Sequence, residues 1–274
     1  MRWESQYNKG KTMTELAQIL SEKPKELVQD FYGKYLSFID EKKEDLNFNN
    51  QEVFQKLTEQ WYEDLEKQGI DKAYDVYGDK NYFVDIIHCF TGYSRTYLRH
   101  LYKPKMPDGR SFIETVGDAK CIVDTGCGVS YSTIALKQMF PDAEVYATNL
   151  RGTPQWEFCS TMAEKYGFNM IEDVSEIKGK DVDFTFSSEY YEHFLDPMEH
   201  VKHITDNISP KYMVVANAFN TWSIGHFEEY HVGGEVIDQK KIGRKWNDYV
   251  RSLGYDKVKT KFFNNKPNIW KRND

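Results

Sequence analysis

The segment from Cys121 to Ser132, CIVDTGCGVSYS, constrains this chain more than any other. An apolar run from Cys121 to Val123 stops at Asp124, and a spaced glycine pair, Gly126 and Gly128, follows at once. A helical pattern then begins with Ile134-Ala135-Leu136 and continues through Met139 and Phe140. Buried strand, acid, glycine turn and helix, in that order, is how an α/β sheet opens a nucleotide pocket at a strand's carboxyl edge. Glycine is required because only a backbone without Cβ turns that tightly and lies against a ligand.

The same residues discriminate between nucleotides. A phosphate-cradling loop needs Gly-Lys-Ser/Thr at the helix start, where this chain has Val129-Ser130-Tyr131. A dinucleotide fingerprint needs a third glycine where Tyr131 stands. An acid ahead of the first glycine also repels a polyanion and suits a ligand carrying an ammonium and a sulfonium. The reading is a pocket for S-adenosylmethionine, against the plainer one of a strand–helix turn with no ligand. The segment resembles the first motif, Asp/Glu-x-Gly-x-Gly, of the class I (Rossmann-like) S-adenosylmethionine-dependent methyltransferases.

Length and charge set the bounds. A chain of 274 residues accommodates an α/β core plus a helical addition. A net charge of -7 disfavours non-specific nucleic-acid binding, which rewards basic surfaces. The four cysteines, Cys89, Cys121, Cys127 and Cys159, form no Cys-x-x-Cys pair. With no charged-then-apolar leader and no apolar run of membrane-spanning length, a reduced, cytoplasmic setting without membrane contact is expected.

The first 110 or so residues read as helices by periodicity. Leu27, Val28, Phe31, Tyr35, Leu36 and Ile39 form one stripe, with Ser21 as its N-cap near Pro24. Val53, Phe54, Leu57, Trp61 and Leu65 form a second, opened by Asn50 and closed by Gly69. A third runs from Tyr82 to Phe90, is broken at Gly92, and resumes at Tyr97. Pro104 and Pro107-Asp108-Gly109 mark a junction, so residues 1–115 are expected to form a helical region or lid, and residues 116–274 the methyltransferase domain.

Beyond residue 118, short apolar strands alternate with helices, the mark of a parallel sheet. Strands are expected at 120–124, 144–148, 169–172, 182–186, 212–218, 257–263 and 268–271. Helices are expected at 131–140, 155–166, 197–208 and 240–253. Only Asn264 to Pro267 separate the last two strands, too few residues for a helical crossover, so that pair is antiparallel. Seven strands with an antiparallel end is the Rossmann-like α/β sheet that the resemblance implies.

The resemblance covers residues 118–274 and carries over by position. Asp124, Gly126, Cys127 and Gly128 would receive the methionine end of the cofactor. At the end of the second strand the family places an acid on the ribose. Here Asn149-Leu150 stands there, a departure that forfeits a charge-assisted bond. A plain strand-end turn is the other reading of Asn149. Asp173 and Val174 match the adenine position, with Glu172 as competitor if the register slips and a solvated acid ending a strand as the plainer reading. Glu189, Glu192, His193, Asp196 and Pro197 match the Glu-x-x-Glu-His-x-x-Asp-Pro segment of many small-molecule members. Ser187 and Ser188 would border the cofactor, and Tyr190 or Tyr191 would face the acceptor. His193 is a candidate general base, since imidazole titrates near neutrality; hydrogen bonding that shapes the loop is the alternative.

The stretch Asn217–Glu235 contains Trp222, His226, Glu228, Glu229 and His231. It reads either as an acceptor-binding loop, with His226 as a second candidate base, or as a loop held by structural hydrogen bonds. The histidine spacing and Gly225, Gly233 and Gly234 argue against a metal. Arg95, Arg99 and Lys103 share a helix face beside Tyr93. That face is either solvated or a cap in which Arg95 or Arg99 pairs a carboxylate and Tyr93 closes the pocket. The Pro-Pro segment of amino-methylating nucleic-acid enzymes and the Pro-Cys nucleophile of cytosine enzymes are absent. The expected activity is methyl transfer to an O or N atom of a small molecule, with protein or nucleic-acid acceptors, or cofactor binding without turnover, as alternatives.

Overall fold

The computed structural model describes residues 16–38 and 50–273; Ile39, expected on the first helical stripe, lies outside them. The helices of the N-terminal part are α1 (Gln18–Ser21), α2 (Pro24–Phe38), α3 (Asn50–Gln68), α4 (Ile70–Ala73), α5 (Phe83–Cys89), α6 (Arg95–His100) and α7 (Phe112–Val116). Alternation begins with β1 (Cys121–Thr125) and α8 (Tyr131–Met139), then β2 (Glu144–Thr148), α9 (Pro154–Tyr166) and β3 (Asn169–Ile171). It continues through β4 (Phe184–Ser188), α10 (Pro197–Ile208), β5 (Tyr212–Ala216), β6 (Glu229–Val232) and β7 (Glu235–Asp238). The chain ends with α11 (Gln239–Ser252), β8 (Tyr255–Lys257) and β9 (Asn268–Arg272).

Seven strands form one sheet in the order β3-β2-β1-β4-β5-β9-β8, with β6 and β7 apart as a hairpin. The first five are parallel, and β9 runs antiparallel to both β5 and β8. Strand side chains alternate between the two faces, and the sheet splits its core accordingly. Ile122, Val145, Phe184 and Val214 enter one cluster; Val123, Tyr146, Met213 and Val215 enter the other. The N-terminal helices add to these same clusters. Leu27, Phe31 and Tyr35 of α2 join the first, while Val53, Leu57 and Trp61 of α3 join the second. Helix α5 straddles both, with Phe83 and Ile87 on one side and Val84 on the other. That position places its remaining face over the carboxyl edge of the strands.

Five local expectations need correction. Ser21 ends α1, its hydroxyl donating to the carbonyls of Leu16 and Ala17, instead of capping the next helix. Gly92 does not break the third stripe, because residues 90–94 form a π-helical turn that runs straight into α6. Strand β4 begins two residues later than expected, at Phe184. The segment expected at 257–263 pairs earlier, over Tyr255–Lys257, because beyond it the Lys261 amide turns to the carbonyl of Lys105 and Phe262 stacks on His100. Finally, Gly233 and Gly234, read as loop residues, both take positive φ and make the two-residue turn of the β6–β7 hairpin.

Candidate functional site

At the carboxyl ends of β1 to β4, where the strand order reverses between β1 and β4, lies a cavity of about 420 Å³. That size lies within the roughly 300–1,000 Å³ of small-molecule sites. The sheet edge supplies Asp124, Gly126, Cys127, Gly128, Asn149, Leu150, Asp173, Val174 and Ser188. The helices opposite supply Tyr74, Tyr77, Tyr82, Asp85, Ile86, Cys89, Phe90 and Ser94.

The glycine turn is built close and tight. Gly126 and Gly128 have φ of 67° and 57°, and a Cβ on them would lie 2.3 Å from the Tyr190 ring and 2.6 Å from Ile86. The Gly126 amide donates to Thr148 Oγ1 at 2.9 Å and the Cys127 amide to the Thr148 carbonyl at 3.0 Å. These donors are therefore spent within the protein and cannot cradle a phosphate. Asp124 accepts from Ser132 Oγ and Thr133 Oγ1, each at 2.6 Å, so a carboxyl already complements the first turn of α8. Burial pushes that carboxyl up to about 7, partly countered by the two hydroxyls. A nearby cation on a ligand would favour its ionised form.

Asn149 lines the cavity, yet both ends of its amide are engaged. Its Nδ2 donates to the Gly128 carbonyl at 2.7 Å, and its Oδ1 accepts from the Leu150 amide at 2.8 Å. The residue ties the end of β2 to the glycine turn. Leu150 projects beside it, largely exposed. Asp173 also faces the cavity while accepting from the Ser175 amide and pairing with His203 Nε2 at 2.8 Å. Burial works to raise its carboxyl, but the Ser175 and His203 hydrogen bonds outweigh it and hold it below the usual range. Glu172 borders the cavity too, paired with Arg151 Nε at 2.9 Å.

His193 lines the opposite end, its Nδ1 2.9 Å from the Tyr77 hydroxyl. Burial, and then the neighbouring His226, hold it well below its ordinary range, so it is neutral at pH 7. Gly225 makes this contact feasible. A Cβ there would lie 2.1 Å from Tyr77 Oη and 2.3 Å from His193 Nδ1. The Asp196-Pro197 pair has a local task, since the Asp196 carboxylate accepts from the Met198 and Glu199 amides and starts α10.

Five expected site residues are not brought to the cavity wall. Ser187, shifted inward by the later start of β4, faces Thr125 on β1 with Oγ and Oγ1 2.5 Å apart. Arg99 and Arg95 both turn to the carbonyl of Leu20 at the end of α1, which buries Arg95 to 2% exposure. They close a helix terminus, which leaves neither solvated nor aimed at the cavity. Tyr93 sits on the far face of the π-turn beside His88, 43% exposed. His226 is buried behind His193, ring centroids 5.0 Å apart, with its Nδ1–H donating to the Thr221 carbonyl. It can influence the cavity only through His193.

The helical wall was missed from sequence. Tyr82, Ile86 and Phe90 are the stripe that periodicity assigns to a core, and here part of that stripe covers the cavity. A signal existed in Asp85, a lone acid inside the apolar run from Tyr82 to Ile87. Tyr74 and Tyr77, three residues apart, gave no such signal.

No protein-family model and no curated protein sequence matches the chain. Solved structures do. The chain is similar to the StiE O-methyltransferase region, at 16% identity and a TM-score of 0.43, over 61% of this chain and 54% of that one. An O-methyltransferase family protein from Burkholderia thailandensis aligns at 12% identity and a TM-score of 0.41, over 70% and 63%. A putative methyltransferase solved with the Haloferax volcanii Trm112 activator aligns at 16% identity and 0.44, over 66% and 73%. The chain thus spans about half the length of the first of these. By its own strand order, with five parallel strands and an antiparallel edge pair, the chain has a Rossmann-like α/β fold with a helical N-terminal region.

Proposed function

We propose that this protein is an S-adenosylmethionine-dependent methyltransferase acting on an O or N atom of a small molecule. The observation that carries the reading is the glycine turn. Its first two amides are consumed by Thr148, and an acid stands at the start of the helix beyond, so it suits a cationic nucleoside and rejects a polyphosphate. Asp124 would face the positively charged end, the bare backbone of Gly126 and Gly128 would allow close approach, and Leu150, Asp173 and Val174 would border the nucleoside. The cofactor supplies an electrophilic methyl group on a sulfonium.

What the protein adds is placement in a shared cavity, which supplies several kcal/mol in such transfers. A single cavity of about 420 Å³ behind a helical wall supports a small acceptor over a macromolecular one. His193, neutral and bonded to Tyr77, is able to accept a proton from a hydroxyl or amine acceptor, although its depressed basicity makes it a weak base.

Isothermal titration of the full chain with S-adenosylmethionine, S-adenosylhomocysteine, ATP and NAD tests this directly. Uptake of the two sulfur nucleosides, with neither phosphate ligand bound at the same concentration, is the expected result. Uptake of ATP or NAD alone overturns it. Release of S-adenosylhomocysteine in the presence of metabolite pools then separates turnover from binding alone.

A further inference from the structure

The part of the cavity lined by α5 and by the loop after β4 has an electrostatic character of its own. Asp85, 5% exposed, reaches it from α5, and Glu189 from the end of β4. Glu192, 0% exposed, stands behind them, its Oε1 accepting from the Ala218 amide. Two oxygens in this group, Glu189 Oε1 and Glu192 Oε2, are buried with no hydrogen-bond partner beyond each other's carboxyl. The cation felt by Glu189 and Glu192 is Lys266, whose ammonium donates to the Asn217 carbonyl at 2.9 Å. Buried carboxyls sharing one region without a paired cation hold protons they would otherwise lose. Burial, then Glu189, pushes Asp85 up to about 7, and the same two causes push Glu192 up to about 8.

The walls between these carboxyls are aromatic. Tyr74 and Tyr77 lie with ring centroids 5.7 Å apart, and Tyr82 meets Tyr77 edge-on at 5.0 Å. The Tyr74 hydroxyl donates to the His193 carbonyl and the Tyr77 hydroxyl is on its ring, which fixes both rings in place. Ring faces attract organic cations, and carboxylates bind them by charge-assisted hydrogen bonds. A metal ion is a poorer occupant, for no group of three ligating side chains is assembled among the described residues. A neutral alcohol donates a single hydrogen bond and brings no charge to offset the carboxylates, and a carboxylate would add to the repulsion.

We propose that the acceptor is a small amine, bound as its ammonium ion by Asp85 and Glu189 between the rings of Tyr74, Tyr77 and Tyr82. It passes one proton to a carboxylate there, and the freed lone pair then takes the methyl group as the S–CH3 bond breaks to leave a neutral thioether. The proposal rests on the methyl-transfer reading above and names the substrate class of that site.

Calorimetric titration of the full chain, saturated with S-adenosylhomocysteine, with phenethylamine and its neutral counterpart 2-phenylethanol tests it. The amine should bind at least about tenfold more tightly than the alcohol, the preference cation–π and ionic contacts supply together. Repeating the titration at pH 7 in buffers of different ionisation enthalpy should reveal protons released as the carboxyls ionise around the amine. Asp85→Asn should remove most of the amine preference, weakening the amine at least about tenfold more than S-adenosylmethionine. Should that variant not fold, Glu189→Gln gives the same readout. Equal or tighter alcohol binding, no amine uptake, or an unchanged amine preference in both variants overturns the proposal while leaving the cofactor reading intact. Failure of the chain to take up either sulfur nucleoside overturns the reading beneath it.

Discussion

The two ends of the cavity are built on opposite principles. At the sheet edge the polar groups satisfy one another: Gly126 and Cys127 on Thr148, Asn149 on Gly128, Asp124 on Ser132 and Thr133. Where the loop after β4 meets α5, Glu189 and Glu192 each leave an oxygen with no partner but the other's carboxyl. The first end is shaped by backbone, with its hydrogen bonds complete, and offers a ligand close approach. The second offers uncompensated charge. Buried polar groups without partners are rare in folded proteins, so where two cluster beside a cavity a ligand is the natural complement.

The sharpest way to break this comparison is to fill the turn. In Gly126→Ala the new Cβ meets the Tyr190 ring at 2.3 Å in a left-handed conformation, and the ring must move into the cavity. Left-handed strain and overpacking together should lower stability by about 3–4 kcal/mol, and the displaced ring should weaken S-adenosylmethionine by about tenfold or more in titration calorimetry. Retained affinity would mean that the nucleoside does not lie on this turn.

The helical end is best probed by pH. Glu192 is raised from 4.5 to about 8, so its contribution to stability is complete below 4.5 and is lost as pH rises through 8. Glu192→Gln, which keeps the Ala218 contact but cannot ionise, should match the wild type near pH 4.5. It should gain on it up to pH 8, by on the order of 5 kcal/mol at pH 9 by linkage, read from urea unfolding. His193, His200 and His226 are all depressed, chiefly by burial, so their contribution is complete above 6.5 and is lost as pH falls, through about 4 for His200 and His226. A wild-type stability that still rises from pH 7 to pH 9 would contradict the Glu192 assignment, and one that does not fall between pH 6.5 and pH 4 would contradict that of the histidines.

A smaller effect separates sequence expectation from structure. Restoring the family's acid in Asn149→Asp replaces the amide that donates to the Gly128 carbonyl with a carboxylate that cannot. Affinity for S-adenosylmethionine should fall about five- to tenfold, roughly 1 kcal/mol, where the family pattern taken alone forecasts a gain. Smallest of all, Arg99→Met should lower stability by about 0.5–1 kcal/mol through loss of the Leu20 contact and leave cofactor affinity unchanged. A tenfold loss of affinity would return Arg99 to the pocket.

Legibility followed the range of the interactions. Strand β2 and helix α10 stand where periodicity placed them, because local pattern and burial agree there. The β6–β7 hairpin was missed because a Gly-Gly turn and a loop look alike until the flanking residues pair across it. For Asn149, position in the motif was legible but its use was not, since the hydrogen bond to Gly128 spans 21 residues. Arg99 was misplaced because its partner, Leu20, lies 79 residues away.

What the chain's residues determined unaided is the sheet class and the glycine turn at its edge, because hydrophobic period and glycine's backbone freedom act within a few residues. Tertiary structure alone decided which helix face closes the cavity and that Asp85, Glu189 and Glu192 meet there. Such burial of charge arises only when distant segments exclude water from one place.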